Sequence, residues 1–300
     1  MHNLSYLQKL EAESLYIIRE CISHAENPVL LFSGGKDSTV LGHLVAKAFY
    51  PSRPTFPLLH IDSTWEFKEL LSFRDDFAQK YKFGLTVYSN EDGRKAGINP
   101  FDYGDRYTRI MRTDALRAAL DRGRYDFILG GARRDEERSR AKERIFSLRS
   151  QHHGWDPRDQ RPEFSKLFNL NLSQGHSARV FPLSNWTEED ILFYIYREEI
   201  EICPLYYSAP RPTVIRGSSF VVIDDEKKMK FAAEDVVETR FVRFRTLGCW
   251  PVTGAIESKA TDIELIIDEN RQSRISERQG RIGDNEDGGS LEEKKREGYF

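Results

Sequence analysis

Short apolar runs alternate with helical stretches through the first half of the chain, and this alternation constrains the fold more than any other feature. Helices are predicted at 38–50, 64–81 and 107–122, each between two runs too short for a buried helix. Strands that alternate with helices form βαβ units, so we predict an α/β fold in three layers, with helices on both faces of a mostly parallel, twisted sheet. The apolar runs are 29–32, 58–61, 85–88 and 126–129.

The alternation fades near residue 205. Before that point, residues 180–183 predict a further strand and residues 185–199 a capped helix. Beyond it, the pattern predicts a strand at 220–223 and a last helix at 262–270. We therefore predict two regions, which are an α/β domain at 1–205 and an irregular C-terminal extension at 206–300.

A polar segment at 147–177 is rich in His, Asn, Gln and Gly, and we interpret it as an irregular or mobile loop. It contains the pair His152 and His153, which alone would suggest a metal. Because a third ligand at usable spacing is missing from the sequence, the pair does not predict zinc.

Composition narrows the classes of partner. Hydrophobic residues make up 39% of the chain, and 45 basic against 48 acidic residues leave a formal net charge of −3. Such a balance gives no general attraction to nucleic acid or to an anionic membrane, and no apolar run approaches the roughly 20 residues that span a bilayer. Residues 1–20 lack the uninterrupted apolar core of a signal peptide, and the three cysteines form no CxxC pair. We expect a cytoplasmic protein without a nucleic-acid or membrane partner.

A glycine-rich hexapeptide follows the first predicted strand and precedes a predicted helix. Two adjacent glycines let the backbone turn sharply, and the N–H groups of the loop and of the helix N-terminus would then point at phosphate oxygens. Two serine hydroxyls and a lysine ammonium add donors, so the sequence predicts a phosphate-binding loop. Its residues are Ser33, Gly34, Gly35, Lys36, Asp37 and Ser38.

The hexapeptide differs from the Walker A phosphate loop. That pattern has a further glycine where this chain has Leu30, and Ser or Thr where it has Asp37. A carboxylate at Asp37 suits Mg²⁺, which prefers carboxylate oxygen and would bridge the phosphates. The alternative is a Gly-Gly turn that carries a charged pair, but the position between a strand and a helix favours the phosphate loop.

A second glycine pair ends the fourth predicted strand. Gly130 and Gly131 would let the backbone pass close to a ligand, and Arg133 and Arg134 follow at once. Two arginines at a strand end can clamp phosphate or sulfate with bidentate hydrogen bonds. The alternative is a solvated helix face with internal ion pairs, which accounts well for the charges at 136–140. We assign the anion to Arg133 and Arg134 and leave the other charges to the ion pairs.

The hexapeptide resembles the SGGxDS signature of the PP-loop ATP pyrophosphatases, in which the loop holds the β- and γ-phosphates that leave as pyrophosphate. Longer segments, spread over nearly the whole chain, resemble the small subunits of the bacterial-type ATP sulfurylases. The hexapeptide specifies only the superfamily, whereas the longer segments specify the family. These segments are 60–67, 130–137, 181–188, 243–251, 276–281 and 294–300.

The resemblance implies an adenine nucleotide alpha hydrolase-like fold with adenosine at the end of the second strand. There His60, Asp62 and Ser63 would contact the nucleotide, and Trp65 would wall the site. From the residues alone, Asp62 or Ser63 would equally serve as a helix cap, with Trp65 in the core. The resemblance favours nucleotide binding by these residues over a role as a helix cap.

The resemblance also implies that ATP and sulfate give adenosine 5′-phosphosulfate and diphosphate, the first step of sulfate assimilation. Mg²⁺ would accompany ATP, and a separate GTPase subunit would drive the reaction from within a heterodimer. Lys36, Asp37, Arg133 and Arg134 are then the expected catalytic residues. They would act by positioning and charge, because ionised sulfate needs no general base. Zinc, flavin and iron–sulfur clusters are not expected.

Two alternatives stay open. A phosphoadenylyl-sulfate reductase-like enzyme would need a redox cysteine near the C-terminus, whereas the last cysteine is Cys249, which is more typical of a buried structural thiol. A non-catalytic regulatory subunit would bind the nucleotide without turnover. Arg243 and Arg245 would approach the substrate or merely pack. Within the tail at 271–300, residues 276–281 would fold over a partner or the nucleotide; a disordered or partner-bound tail is the alternative.

Overall fold

The computed structural model describes residues 5–136, 140–163, 167–217 and 219–272. The expected motifs at 276–281 and 294–300 lie outside these residues, as does Glu137. The described strands are β1 Val29–Leu31, β2 Leu58–Ile61, β3 Leu85–Tyr88, β4 Phe127–Leu129, β5 Phe146–Arg149, β6 Ser177–Val180, β7 Ala209–Arg216, β8 Ser219–Val222, β9 Glu238–Arg243 and β10 Gly254–Glu257. The α-helices are α1 Tyr6–His24, α2 Lys36–Phe49, α3 Lys68–Lys80, α4 Glu91–Lys95, α5 Pro100–Tyr103, α6 Asp105–Thr108, α7 Ala115–Gly123, α8 Glu188–Arg197 and α9 Ile263–Gln272.

A six-stranded sheet forms the centre of the molecule, in the order β3-β2-β1-β4-β6-β5. Neighbouring strands are parallel except for β5, which runs antiparallel to β6. On β1, Leu30 pairs with Leu58 of β2 and Leu129 of β4. Because β1, β2 and β4 are adjacent and parallel, the segments that follow them meet at one edge of the sheet, where ligands of such sheets bind.

Alternate side chains of the central strands enter two separate apolar layers, as the pleat of a strand requires. Leu30 belongs to the larger cluster, with side chains of α1, α2, α3 and α8. Val29 and Leu31 point to the other face, where they pack with Leu116 and Leu120 of α7. The sheet therefore has helices on both faces, and the predicted three-layer α/β fold is confirmed.

The helix predicted at 107–122 is interrupted. The chain leaves α6 at Thr108, forms one stretch of π-helix at Arg109–Asp114, and then enters α7. A π-helical stretch inserts a residue into the helical repeat and is common at functional sites. The apolar periodicity predicted a continuous helix because it does not reveal such a change in hydrogen bonding.

Strand β6 also departs from the prediction, because it ends at Val180 rather than beginning there. The amide of Phe181 still donates to the carbonyl oxygen of Ile145 (2.9 Å). Pro182 then has no N–H to donate, and the chain turns away. Likewise, the segment predicted as a loop from residue 147 opens with β5; most of its described remainder lacks helix or strand.

The strand predicted at 220–223 corresponds to β8, and the helix predicted at 262–270 corresponds to α9. The segment after residue 205 holds more regular structure than these two elements. Strands β7 to β10 form a small closed antiparallel barrel in the order β10-β8-β7-β9. The barrel contacts the sheet domain through backbone bonds, in which Phe244 donates to Leu205 O and Trp250 donates to Trp65 O, both at 2.9 Å. In the residues that the structure describes, no helix is long and apolar enough to span a bilayer.

Candidate active site

The hexapeptide forms a tight turn between β1 and α2. Gly34 has φ of 72°, a left-handed conformation that strongly favours glycine. The Ser33 and Ser38 hydroxyls are 3.2 Å apart, and the carbonyl oxygen of Gly35 accepts from Ser38 Oγ at 2.9 Å. Helix α2 begins at Lys36, directly after Gly35, so its N-terminus faces the turn, as a phosphate-binding loop requires.

Two amides of this loop donate to hydroxyl groups of the protein. Gly35 N donates to Ser33 Oγ (3.3 Å), and Lys36 N donates to Tyr206 Oη (2.8 Å). A bound phosphate would take these amides only by replacing the hydroxyl acceptors. The sequence did not identify Tyr206, because it lies 170 positions from Lys36 in the chain and reaches the loop only through the fold.

Charges of both signs surround the first turn of α2. Lys36 is only 1% exposed, and its Nζ lies 3.4 Å from Asp37 Oδ2 and 3.8 Å from Glu188 Oε1. The buried Arg133 donates from Nε to Asp37 Oδ1 at 2.6 Å. Burial acts to raise the pKa of Asp37, but Arg133 and Lys36 outweigh it and hold that pKa below its ordinary value. The pair Arg133–Asp37 thus ties the end of β4 to the loop after β1.

Of the two predicted anion ligands, only Arg133 lies against the loop. Arg134 donates to the Glu143 carbonyl oxygen (3.2 and 3.1 Å) and to Asn185 Oδ1 (2.6 Å). These bonds tie its guanidinium to residues outside the phosphate loop. The structure therefore gives Arg134 a position that braces the segment after β4.

The residues after β2 form a buried hydrogen-bonded network. Glu66 Oε1 accepts from Ser63 Oγ (2.6 Å), and Tyr107 Oη lies 2.7 Å from the same hydroxyl and 3.0 Å from Cys249 Sγ. Burial raises the pKa of Glu66, and the nearby Asp62 raises it further, although the hydrogen bond from Ser63 opposes both. Ser63 therefore joins the end of β2 to helix α6 and to the segment between β9 and β10. Cys249 is buried, as expected.

His60 lies on the floor of the site. Its Nδ1 is 2.9 Å from the carbonyl oxygen of Phe32, which can only accept, so Nδ1 carries the proton. Burial lowers the pKa of His60 to about 4, so the ring is neutral near pH 7. Asp62 bonds locally, since its Oδ1 accepts from Thr64 N at 2.7 Å.

A cavity of about 190 Å³ opens above these residues. The predicted residues in its lining are Ser33, Gly35, Lys36, Asp37, Ser38, His60 and Gly131. The predicted residues Gly34, Asp62, Ser63, Gly130, Arg133 and Arg134 lie outside the lining. The lining residues that the sequence did not single out for the site include Glu66, Arg112, Leu116, Glu136, Arg140, Tyr206, Thr246 and Leu247.

The two arginines of the barrel segment pack rather than line the cavity. Arg243 pairs with Glu269 (2.8 Å), and Arg245 pairs with Glu188 (2.9 Å). Glu188 also faces Lys36, so it links Arg245 to the site. The neighbouring segment does reach the cavity, because Thr246, Leu247 and Gly248 line it.

The comparisons with known proteins agree over the length of the chain. The family model "Phosphoadenosine phosphosulfate reductase domain" matches residues 27–255. "Sulfate adenylyltransferase subunit 2" of Trichlorobacter lovleyi is 54% identical, with 99% of each chain covered, and that of Rhizobium sp. (strain N33) is 56% identical, again with 99% of each covered. The solved FMN adenylyltransferase of Candida glabrata in complex with ATP is 17% identical, with a TM-score of 0.50 over 95% of this chain and 92% of that chain.

Sequence identity of 54–56% to these two relatives, over 99% of each chain, establishes the family. The solved structure, at 17% identity, shows only that the fold is shared. The chain therefore belongs to the phosphoadenosine phosphosulfate reductase domain family and, within it, to the sulfate adenylyltransferase subunit 2 family.

Proposed function

We propose that this chain is a nucleotidyltransferase that joins ATP and sulfate into adenosine 5′-phosphosulfate and releases diphosphate. The observation that carries the proposal is identity of 54–56% to named sulfate adenylyltransferase subunits over 99% of their length. The cavity beside the phosphate loop supports it, because it brings cationic and apolar groups together at the carboxyl ends of β1 and β2.

ATP would lie along this cavity with its β- and γ-phosphates at the loop. Lys36 and the amides at the start of α2 would bind the leaving diphosphate, and this charge stabilisation lowers the barrier of such a transfer. The apolar lining at Leu59, Ile61 and Leu116 suits the adenosine end. His60 presents a neutral ring there, which adds no charge beside the base.

Sulfate attacks the α-phosphorus as an ionised oxyanion, so the proposed mechanism needs no general base and no covalent intermediate. The protein has to hold two anions together, which positive charge makes possible. Arg112 and Arg140 line the cavity in addition to Lys36, and Arg133 fixes the Asp37 carboxylate beside them. We assign Lys36, Asp37 and Arg133 to this charge arrangement.

Mg²⁺ would fit the site only if the nucleotide supplied part of its ligands. Both Asp37 oxygens already face cations, Arg133 at 2.6 Å and Lys36 at 3.4 Å. Among the described residues, no group of three or more His, Cys, Asp or Glu side chains could hold a metal ion. Phosphate oxygens and water would therefore provide most ligands, with Asp37 the nearest carboxylate, as is common for Mg²⁺. The ion would supply charge neutralisation of the diphosphate.

The mixed anhydride of the product is formed uphill, so a further energy source is required. The relatives are named as subunit 2 of their enzyme, and we propose that this chain likewise works in the cytoplasm with a separate subunit that hydrolyses GTP. The reductase alternative is less well supported, because the three free cysteines are all buried, Cys249 among them.

The test combines the purified chain with its GTPase partner, ATP, Mg²⁺ and sulfate, and follows diphosphate release. We expect release that depends on sulfate and is stimulated by GTP. Nucleotide binding without any sulfate-dependent release would instead support a regulatory subunit and reject the proposed reaction.

A further inference from the structure

Arg179 is a buried charge that the proposed function does not use. It lies on β6, is 1% exposed, and its Nε and both terminal nitrogens are buried without a hydrogen-bond partner in the part of the chain that the structure describes. Burial, followed by repulsion from Arg149, lowers the pKa of Arg179 to about 9, so it remains charged near pH 7. An unpaired buried charge is strongly unfavourable, so a group that satisfies it is expected.

The carboxylate that offsets part of the charge of Arg179 is Glu143, and it is already engaged. Glu143 Oε1 accepts from Arg149 (3.1 Å) and from Ser147 Oγ (2.7 Å). Ser147 pairs with Arg179 in the β5–β6 register, so both point to the same face of the sheet. Among the described residues of β5 and β6, two buried arginines, Arg149 and Arg179, therefore share the charge of one carboxylate.

A second buried donor comes from the helix that covers this face. Arg117 of α7 has its Nε buried without a hydrogen-bond partner, again among the described residues. Burial lowers the pKa of His153, and Arg179 and Arg117 lower it further, whereas the hydrogen bond to Asp121 opposes them. The His153–Asp121 contact (2.8 Å) holds the segment after β5 against α7. Both arginines therefore act on the same His153 ring, which Asp121 ties to α7.

We propose that Arg179 binds a small inorganic anion of halide size, enclosed between the β5–β6 face and α7. Arg179 is absent from the lining of the nucleotide cavity, so this is a separate site. The anion would neutralise the charge of Arg179 and hold α7 against the sheet. Because Leu116 of α7 and Arg112 just before it line the cavity, the bound anion would also stabilise that wall.

Thermal unfolding of the whole chain tests the site. Chloride is titrated at constant ionic strength, with gluconate as the replacing anion, because a ligand that binds only the folded state raises its melting temperature. We expect a saturable rise for the wild type and none for Arg179→Met. The control is Arg158→Met, whose side chain is 90% exposed, and it should keep the full rise. The proposal would be overturned if chloride did not change the melting temperature of the wild type, or if the Arg179→Met variant showed the same rise in melting temperature.

Crystals of the wild type soaked in bromide give a second test that does not depend on how the variant folds. We expect an anomalous peak within hydrogen-bonding distance of the Arg179 guanidinium. Ordered water at that position, without anomalous signal, would contradict the anion site.

Discussion

At the scale of single residues, Lys36 sits in a prepared electrostatic position. Its ammonium is almost fully buried between Asp37 and Glu188, at 3.4 and 3.8 Å, and its own amide donates to Tyr206. Both carboxylates lie beyond the distance of a short ion pair, so a phosphate oxygen can compete for the ammonium. The lysine is therefore oriented before the nucleotide arrives, which reduces the ordering required in the reaction.

Replacing Lys36 by Met should lower turnover by about 10²–10³-fold, the usual loss when one charge-stabilising group is removed from a transition state. Methionine keeps the buried volume, so the variant should still fold. Diphosphate release with the partner, ATP and sulfate is the measurement, with far-UV circular dichroism as the check on folding. Lys47→Met is the matched control, because Lys47 lies on the same helix, is paired with Glu11 and Glu198, and does not line the cavity. Wild-type turnover in the Lys36 variant would remove that residue from the mechanism.

His60 makes stability depend on pH in a defined window. Its pKa falls from 6.5 to about 4 on folding, because burial disfavours the charged ring. Between pH 6.5 and pH 4, His60 binds a proton in the unfolded chain but not in the folded chain. The contribution of His60 to the free energy of unfolding is therefore complete above pH 6.5 and declines as the pH falls toward 4. The expected loss is about 3 kcal/mol across that window.

Urea unfolding at pH 7 and at pH 4.5 measures this loss. In His60→Gln the difference between the two pH values should shrink by about 2–3 kcal/mol, because the amide cannot titrate. The exposed His24 supplies a control, since His24→Gln should leave the difference unchanged. An unchanged difference in the His60 variant would show that the buried ring is not its source.

At the scale of secondary-structure elements, the sequence predicted what local pattern determines. The alternation of strands and helices and the glycine turn at Gly34 follow from residues adjacent in the chain, so β1, α2 and the loop between them were predicted within one or two residues. The π-helical stretch at Arg109–Asp114 was not, because it changes the hydrogen-bond partner and leaves the apolar spacing nearly intact. Arg112, which lines the cavity from that stretch, was missed for the same reason.

The close approach of two elements at Gly131 gives an element-scale prediction. A Cβ at Gly131 would lie 3.0 Å from the backbone of Asp37 and Ser38, so Gly131→Ala should push the end of β4 away from the first turn of α2. We expect turnover to fall at least about tenfold and stability to fall by about 1–3 kcal/mol. Diphosphate release and urea unfolding measure the two effects.

The matched control for Gly131 is Gly84→Ala, whose Cβ would meet Pro57 at an ordinary 3.7 Å. It should leave turnover unchanged. Equal turnover in the two alanine variants would mean that the β4–α2 contact does not position the loop.

At the scale of the whole molecule, the barrel and the sheet domain share one core. The large apolar cluster contains Phe67 beside α3, Val214 and Val242 of the barrel, and Trp250 between them. Contacts of this kind join residues more than a hundred positions apart, and no local pattern encodes them. That is why the sequence indicated an irregular extension but not the closed barrel. It also did not reveal that Thr246, Leu247 and Gly248 of this region line the cavity.

A shared core predicts that the regions proposed at 1–205 and 206–300 unfold together. Trp250 is 1% exposed, its ring lies 5.4 Å from that of Trp65, and its amide donates to Trp65 O. Trp250→Ala should therefore cost about 3–5 kcal/mol, the range for a large buried aromatic side chain. Urea transitions followed by far-UV circular dichroism and by tryptophan fluorescence should coincide and shift together.

The control is Phe231→Ala, at a 48% exposed position of the extension, which should change the free energy of unfolding from either probe by no more than about 0.5 kcal/mol. Two separate transitions, with only one moved by Trp250→Ala, would establish the two regions as independent domains.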